Sequence, residues 1–375
     1  MANTAILAVY SVIETVVVFL FIVALARYLG VEEFGRIGFA LSYALLTSVL
    51  SDPGISLGVM KLVARSSGRE REDYVSNGLS LRAILGSMVF LGSLVPFAFS
   101  SYMQQSVSLL LCILVSEHLR NLALYFCYMF RAHQRTQFEV IALSVERFGC
   151  LALGWALLAA GYGALAIGAV YLLARGASLL LAVTMYLRNF HRVKFQWNRK
   201  IIREVNREFR PLSVVLLSDR LNTYLPPVLL TIFAGEYATG VFQAAFKTIM
   251  PAVLLAAAIS GSLYPVMAAR FVDSKGECAR LYYSAIRTLL HLLLPSAVLL
   301  LVYPQEICIL LFGHGYAESA RVLLLLAPYC VAMAVIPASV ILLPASDQQK
   351  IGGVLSGFSL LLNLSLGVVL IHYAG

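Results

Sequence analysis

Long apolar runs separated by short polar turns dominate this chain. The runs reach about 20 residues or more and do not alternate apolar with polar positions, so they predict membrane-crossing helices rather than barrel strands. Eleven are expected, at roughly 4–26, 37–62, 76–99, 106–130, 137–160, 163–187, 209–233, 238–268, 282–303, 318–343 and 351–373. Some connections are as short as Gly161-Tyr162-Gly163, and the longest lies at about 188–208. Ala24-Leu25-Ala26 resembles a leader-cleavage site. However, Met1-Ala2-Asn3 has no basic start, Glu14 interrupts the run, and the run is too long for a leader, so it reads as the first membrane helix. Composition agrees: 60% of residues are hydrophobic and only 13% charged, where a soluble domain carries about twice that charge. The fold class is therefore all-α and polytopic.

The few charges sort by side. Even-numbered connections carry Lys61, Arg65, Arg69 and Arg71, then Arg131 and Arg135, then Arg188, Arg192, Lys194, Arg199, Lys200, Arg203 and Arg207, then Arg270, Lys275 and Arg280, then Lys350. Odd-numbered connections hold little beyond Arg27, Arg36 and Arg321. The positive-inside rule sets the N-terminus and every even connection in the cytoplasm of a bacterial-type inner membrane. The net charge of +9 also suits anionic membrane lipids as partners. No soluble domain presents a basic cluster to nucleic acid.

A register recurs at an offset of about 205 residues. Gly30 and Gly35 match Gly235 and Gly240, Ala64-Arg65 matches Ala269-Arg270, Glu72 matches Glu277, and Arg82 matches Arg287. An even number of helices separates the copies, so both keep one orientation. This predicts two lobes related by a pseudo-two-fold axis along the membrane normal. Residues 1–187 would form a six-helix lobe, 188–208 a basic cytoplasmic linker, and 209–375 a five-helix lobe. The chain stops at His372-Tyr373-Ala374-Gly375, where a twelfth helix would begin; the sequence leaves open whether it is naturally short or truncated.

Glu14, Glu117, Arg120, Glu146, Arg147, Arg175, Asp219, Arg220 and Lys247 fall near helix centres. At about 2.5–3.5 kcal/mol each, leaving them all in lipid would cost on the order of 25 kcal/mol. A marginally stable fold cannot absorb that, so a polar central cavity is expected. Glu117 and Arg120, three apart on one helix, can equally neutralise each other. In Glu146-Arg147 and Asp219-Arg220 the neighbouring side chains diverge, which favours pairing across helices or lining the cavity. Arg175 and Lys247 have no acid nearby on their own helix. Arg82 and Arg287, about two turns in from the cytoplasmic end, either snorkel to phosphate headgroups or form a paired substrate-entry site. Pro53-Gly54, Pro251 and Pro265 interrupt long helices as static kinks or as hinges. The six cysteines keep no metal-ligand spacing. No P-loop, Gly-x-Ser-x-Gly or zinc motif occurs, so neither an enzyme nor a resident cofactor is expected.

The turn Ala26-Arg27-Tyr28-Leu29-Gly30-Val31-Glu32-Glu33-Phe34-Gly35 is followed by Asp52-Pro53-Gly54 and the basic turn after Val63-Ala64-Arg65. In the second half stand Gly235-Glu236-Tyr237-Ala238-Thr239-Gly240-Val241-Phe242, Leu263-Tyr264-Pro265 and Leu311-Phe312-Gly313-His314-Gly315-Tyr316 with Ala320. With these, essentially the whole chain resembles the polysaccharide flippases (Wzx type, as in O-antigen export) of the multidrug/oligosaccharidyl-lipid/polysaccharide (MOP) exporter superfamily. The resemblance implies two six-helix lobes around a central cavity and alternating access. It also implies a polyprenyl-pyrophosphate-linked oligosaccharide as cargo, carried to the periplasmic leaflet for cell-surface polysaccharide synthesis beside a polymerase machinery. The missing final helix departs from that pattern.

Such cargo needs cations for its pyrophosphate. Arg82, Arg120, Arg147, Arg175, Arg220 and Lys247 are the candidate binding residues, and Glu14 or Asp219 the carboxylate that couples transport to a proton or sodium ion. Pro53, Gly54, Pro251 and Pro265 are the hinge candidates. A related cation-coupled drug antiporter is the alternative, although five central bases against four acids lean toward an anion. An integral-membrane polymerase or glycosyltransferase is a second alternative, with short external loops against it. One cavity between two lobes works as a monomer.

Overall fold

A 37-residue apolar stretch, Thr15–Ser51, would run to about 55 Å as one straight helix, nearly twice the hydrocarbon thickness. A glycine divides it. In the computed structural model, Gly30 has φ 78° and ψ 176° inside an otherwise helical run, Ala2–Ser51 (α1). The structure describes residues 2–99, 106–190, 193–273, 275–336 and 354–365. After α1 come α2 (Ile55–Arg65), α3 (Gly68–Phe99), α4 (Val107–Ala132), α5 (Thr136–Ala159) and α6 (Ala164–Asn189). They are followed by α7 (Arg199–Asp273), α8 (Lys275–Val302), α9 (Pro304–Phe312), a 3-10 turn at His314–Tyr316 and α10 (Ser319–Ala332). A further short apolar helix, α11, spans Val354–Ser365.

Among the described residues, seven helices are long and apolar enough to cross a membrane, and the protein is an all-helical integral membrane protein. α7 repeats the device of α1: Gly235, with φ 86° and ψ −177°, breaks a stretch whose 44 apolar residues, Ser213–Ala256, exceed one crossing. Gly30 and Gly235, 205 residues apart, thus take the same left-sided, extended conformation, which a Cβ would strain. Ser51 closes α1 and Pro53-Gly54 separates it from α2, with Gly54 at φ 112°. By contrast, the helix runs on through Pro251.

The chain forms two compact units, one of residues 1–21 and 36–229, the other of 22–35 and 230–375. In the first, Tyr125, Phe126, Phe130 and Tyr186 join Ile55, Val59 and Tyr74 in one buried core. Tyr125 donates its hydroxyl to the Val75 carbonyl at 2.6 Å, which satisfies a phenol that is fully buried there. Residues 193–198, ahead of α7, lie extended along α3. The backbone N–H groups of Lys194, Gln196 and Asn198 donate to Ser76 Oγ (3.3 Å), Ser80 Oγ (2.9 Å) and Asn77 Oδ1 (2.6 Å). The period of two is that of an extended strand. The first turns of α7 continue onto the same surface. Tyr74 donates to Glu204 at 2.7 Å, Arg65 faces Glu208 at 3.6 Å, and Phe209 packs over Gly54 and Gly58.

In the second unit, residues 22–35 are gripped by main-chain contacts. Tyr316 Oη donates to the Ala26 carbonyl at 2.9 Å, and burial raises its phenol pKa, keeping it a donor. Arg27 Nε donates to the Leu311 carbonyl at 2.7 Å and its Nη2 to that of Leu310. Two glycines make a reciprocal contact. A Cβ on Gly35 would overlap the Glu236 carbonyl oxygen, and a Cβ on Gly240 would overlap the Val31 carbonyl oxygen. Val31 and Glu236 stand at the same 205-residue offset as the glycines.

Candidate functional site

Charge buried among apolar helices has to find a partner, and α4, α5 and α6 supply a shared one. Glu117 and Arg120 stand on α4, Glu146 and Arg147 on α5, and Arg175 on α6. Small residues let the helices close: Gly149 meets the Cβ of Ala174 next to Arg175, and Gly168 admits Leu109 and Cys112. Arg120 donates from Nε to Glu146 Oε1 at 3.0 Å and from Nη1 to Glu117 Oε1 at 3.4 Å. Arg175 Nη1 lies 2.8 Å from Glu117 Oε2 and donates to Ser116 Oγ at 2.9 Å, while its Nε lies 3.5 Å from Glu146 Oε1. Its guanidinium also covers the Tyr171 ring at 4.7 Å. Arg147 Nη1 approaches Glu146 Oε1 only to 3.7 Å.

Among the described residues, three guanidiniums therefore share two carboxylates. The cluster is not buried uniformly. Glu117, Glu146 and Arg175 are closed off, whereas the Arg120 and Arg147 side chains keep 19% and 21% exposure. The cluster holds Arg175 as its internal strut and presents Arg120 and Arg147 as its accessible cations.

Arg82 belongs to a second assembly and is no headgroup-snorkelling residue, because its side chain is 2% exposed. Its Nη1 pairs with Asp52 Oδ2 and donates to Ser56 Oγ, and its Nη2 donates to the Asn121 carbonyl at 2.5 Å. Asp52 Oδ1 in turn accepts from the backbone N–H groups of Gly54 and Ser56, at 3.3 and 3.1 Å, where α2 begins. Asn121 donates to Ser48 Oγ at 2.7 Å. The break at Pro53-Gly54 is thereby tied to α3 and α4, with the Gly54 and Ser56 amides satisfied at the helix start. Sequence reading singled out Arg82 but not Asp52 as its partner. The pairing crosses 30 residues, and only the Asp-Pro-Gly turn hinted that an acid would face inward.

The remaining candidates stand apart from both assemblies. Asp219 and Arg220 are exposed within the 213–256 stretch, with Arg220 Nη1 donating to Tyr224 Oη at 3.3 Å. Lys247 is half-buried and belongs to the other unit. The side chains of Glu14 and Pro265 lie outside the described residues. Among the described residues no group of three or more His, Cys, Asp or Glu could hold a metal ion.

The fold defines the class. It superposes on an inward-facing multidrug resistance MATE family transporter of the MOP superfamily with a TM-score of 0.76 at 15% identity, covering 96% of this chain and 87% of that one. The lipid II flippase MurJ, in an inward closed conformation, gives 0.78 at 14% identity, covering 98% and 84%. The chain has the fold of the MOP exporters. The family profile described as "Polysaccharide biosynthesis protein" matches residues 1–271, and the chain belongs to that family. A Shigella dysenteriae protein named "Putative O-antigen transporter" is 22% identical over 352 residues, which are 93% of this chain and 87% of that protein. The protein is a transporter-family membrane protein and not an enzyme, which sets aside the polymerase and glycosyltransferase reading.

Proposed function

We propose that this protein flips a polyprenyl-pyrophosphate-linked oligosaccharide across a bacterial inner membrane, by alternating access, during cell-surface polysaccharide synthesis. The observation that carries this reading is the gathering of three guanidiniums, Arg120, Arg147 and Arg175, around Glu117 and Glu146 within the helix bundle, with the Arg120 and Arg147 side chains partly exposed. An anionic headgroup leaving water needs preorganised cations, and a drug cation would meet repulsion there. Arg220, charged and exposed within a crossing, is economical only beside a water-filled path and serves as a further contact. The shared backbone break at Gly30 and Gly235 and the reciprocal glycine contact support an internal repeat. We assign eleven crossings in two lobes, a cytoplasmic N-terminus, and Asp219 or Glu14 as the carboxylate that couples flipping to a proton or sodium ion. Of the hinge candidates in the described residues, Pro53-Gly54 is the one at which the helix is interrupted.

Translocation of polyprenyl-pyrophosphate oligosaccharides in proteoliposomes tests the reading. Arg147→Ala and Arg220→Ala are expected to cut transport by about tenfold or more, equivalent to losing one charge-assisted contact of roughly 1.4 kcal/mol, while melting like the parent. Parental rates in both variants, or transport of organic cations in preference to the lipid, would refute it.

A further inference from the structure

The cytoplasmic start of α7 carries a feature that the buried clusters do not use. Along Arg199–Arg210, the positions turned inward are Ile201, Ile202, Glu204, Val205, Glu208 and Phe209, while Arg199, Lys200, Arg203, Asn206, Arg207 and Arg210 are exposed. Both acids of this turn sequence are engaged on the inner face, Glu204 by Tyr74 and Glu208 near Arg65. The outer stripe is left wholly basic. Among the described residues no ion pair or side-chain hydrogen bond engages the guanidiniums of Arg203, Arg207 or Arg210. Together with Asn206 they line one open surface recess.

Resting on the flippase reading, we infer that this arginine ladder is the cytoplasmic landing site for the diphosphate of the polyprenyl-linked cargo, engaged before the cargo reaches the buried cluster. Spacing fits the ligand. Residues three and four apart on a helix are neighbours, with Cβ atoms about 5–6 Å apart, so Arg203/Arg207 and Arg207/Arg210 can each close two forked donors on one diphosphate. Orientation favours the cargo over bulk phospholipid. The helix is unbroken from Arg199 to Gly235 and passes directly into the crossing that starts at Ser213. A helix that binds a lipid surface lies flat in the interface. This one instead continues the crossing, and Arg203 stands ten residues, about 15 Å of helix, before Ser213. Phospholipid phosphates reach only its lowest rung. A diphosphate extends one phosphate further from the lipid and can bridge Arg207 and Arg210, while a sugar chain beyond it would lie along Arg203 and the Asn206 amide.

The test is binding to the full chain in neutral phosphatidylcholine nanodiscs, with undecaprenyl diphosphate and phosphatidylglycerol as separate probes. The variant Arg203→Gln/Arg207→Gln/Arg210→Gln is compared with Arg69→Gln/Arg188→Gln/Lys194→Gln, which removes three exposed cytoplasmic charges elsewhere. The ladder variant is expected to lose about tenfold in diphosphate affinity, Arg207→Gln alone about threefold, and the control variant less than twofold, with phosphatidylglycerol binding falling less than about twofold in every variant. Equal losses for both probes would make the stripe a lipid anchor and overturn the inference, as would equal losses in both triple variants or parental affinity in the ladder variant. Should the triple variant misfold, the single variant decides in the same way. A parent chain that binds no diphosphate would overturn the landing site and the flippase reading together, whereas loss of the ladder effect alone leaves flipping standing.

Discussion

Glu146 is the residue on which the buried cluster balances. Arg120, Arg147 and Arg175 all approach its Oε1, and its side chain is 1% exposed. Glu146→Gln keeps the shape and removes the charge that Arg120, Arg147 and Arg175 all approach. Breaking a buried ion pair from one side costs about 3–5 kcal/mol, so the variant is expected to unfold well below the parent in detergent melts. Removing a cation as well, in Glu146→Gln/Arg175→Gln, should recover part of that loss, because the second substitution no longer strands a charge. Strictly additive losses in the cycle would show that the charges do not act on one another. At this scale little beyond residue type was legible in the sequence. Arg175 lacked an acid on its own helix and looked free, yet its partners Glu117 and Glu146 come from α4 and α5. Cross-helix pairing is decided by helix rotation and close approach, which apolar runs do not encode.

Among elements, the glycines that shape α1 and α7 do two different jobs, and their substitutions should separate. Gly35 and Gly240 face backbone oxygens that cannot swing aside, so Gly35→Ala and Gly240→Ala are expected to cost about 1–3 kcal/mol each through overpacking. Gly30 meets nothing within 4 Å but holds a positive φ, so Gly30→Ala should cost about 1–2 kcal/mol through backbone strain alone. Gly92, helical and open, should gain up to about 1 kcal/mol as alanine. Thermal unfolding of the four variants checks the order, and equal losses at Gly35 and Gly92 would contradict the close approach. The elements were the most legible part of the chain. Run length and polarity placed the long apolar helices, and the recurring glycine spacing fell at both breaks, but the short helix Pro304–Phe312 and the first turns of α7 lay between the expected runs. Prolines misled slightly: Pro53-Gly54 does separate two helices, but α7 passes through Pro251 without interruption. One missing hydrogen bond bends a helix more readily than it ends one.

For the whole molecule, charge asymmetry makes a claim about sidedness. In a chain with its native cysteines replaced, Arg69→Cys and Arg199→Cys should react with an impermeant thiol reagent only after the membrane is opened. Tyr162→Cys and Tyr303→Cys, exposed at the other ends of the helices, should react in intact spheroplasts. The reverse pattern would invert the proposed topology and move the arginine ladder to the wrong side for a cytoplasmic cargo. Class and fold were readable at this scale because composition left only a polytopic bundle. The ladder was not: Arg203 and Arg207 were counted as linker charge while Arg210 fell inside the next apolar run, and their alignment on one face emerges only once Glu204, Val205 and Phe209 are seen packed against the opposite side.

The extended stretch before α7 is fastened by its amides. Lys194, Gln196 and Asn198 each contribute a backbone N–H, and the side-chain oxygens belong to Ser76, Asn77 and Ser80. An attachment written in main chain tolerates almost any side chain at Lys194 and Gln196, with proline the exception because it has no N–H to give, whereas Asn198 also accepts the Lys200 amide at 2.9 Å where α7 begins. Relatives aligned over this stretch should therefore look unconstrained where the chain is in fact moored. The constraint would surface elsewhere, as a persistent run of small polar residues on the receiving helix. For protein engineering this marks 194–197 as a place to rewrite charge or add a label, so long as its length is kept and proline is avoided, while Val193 stays with the core it packs against.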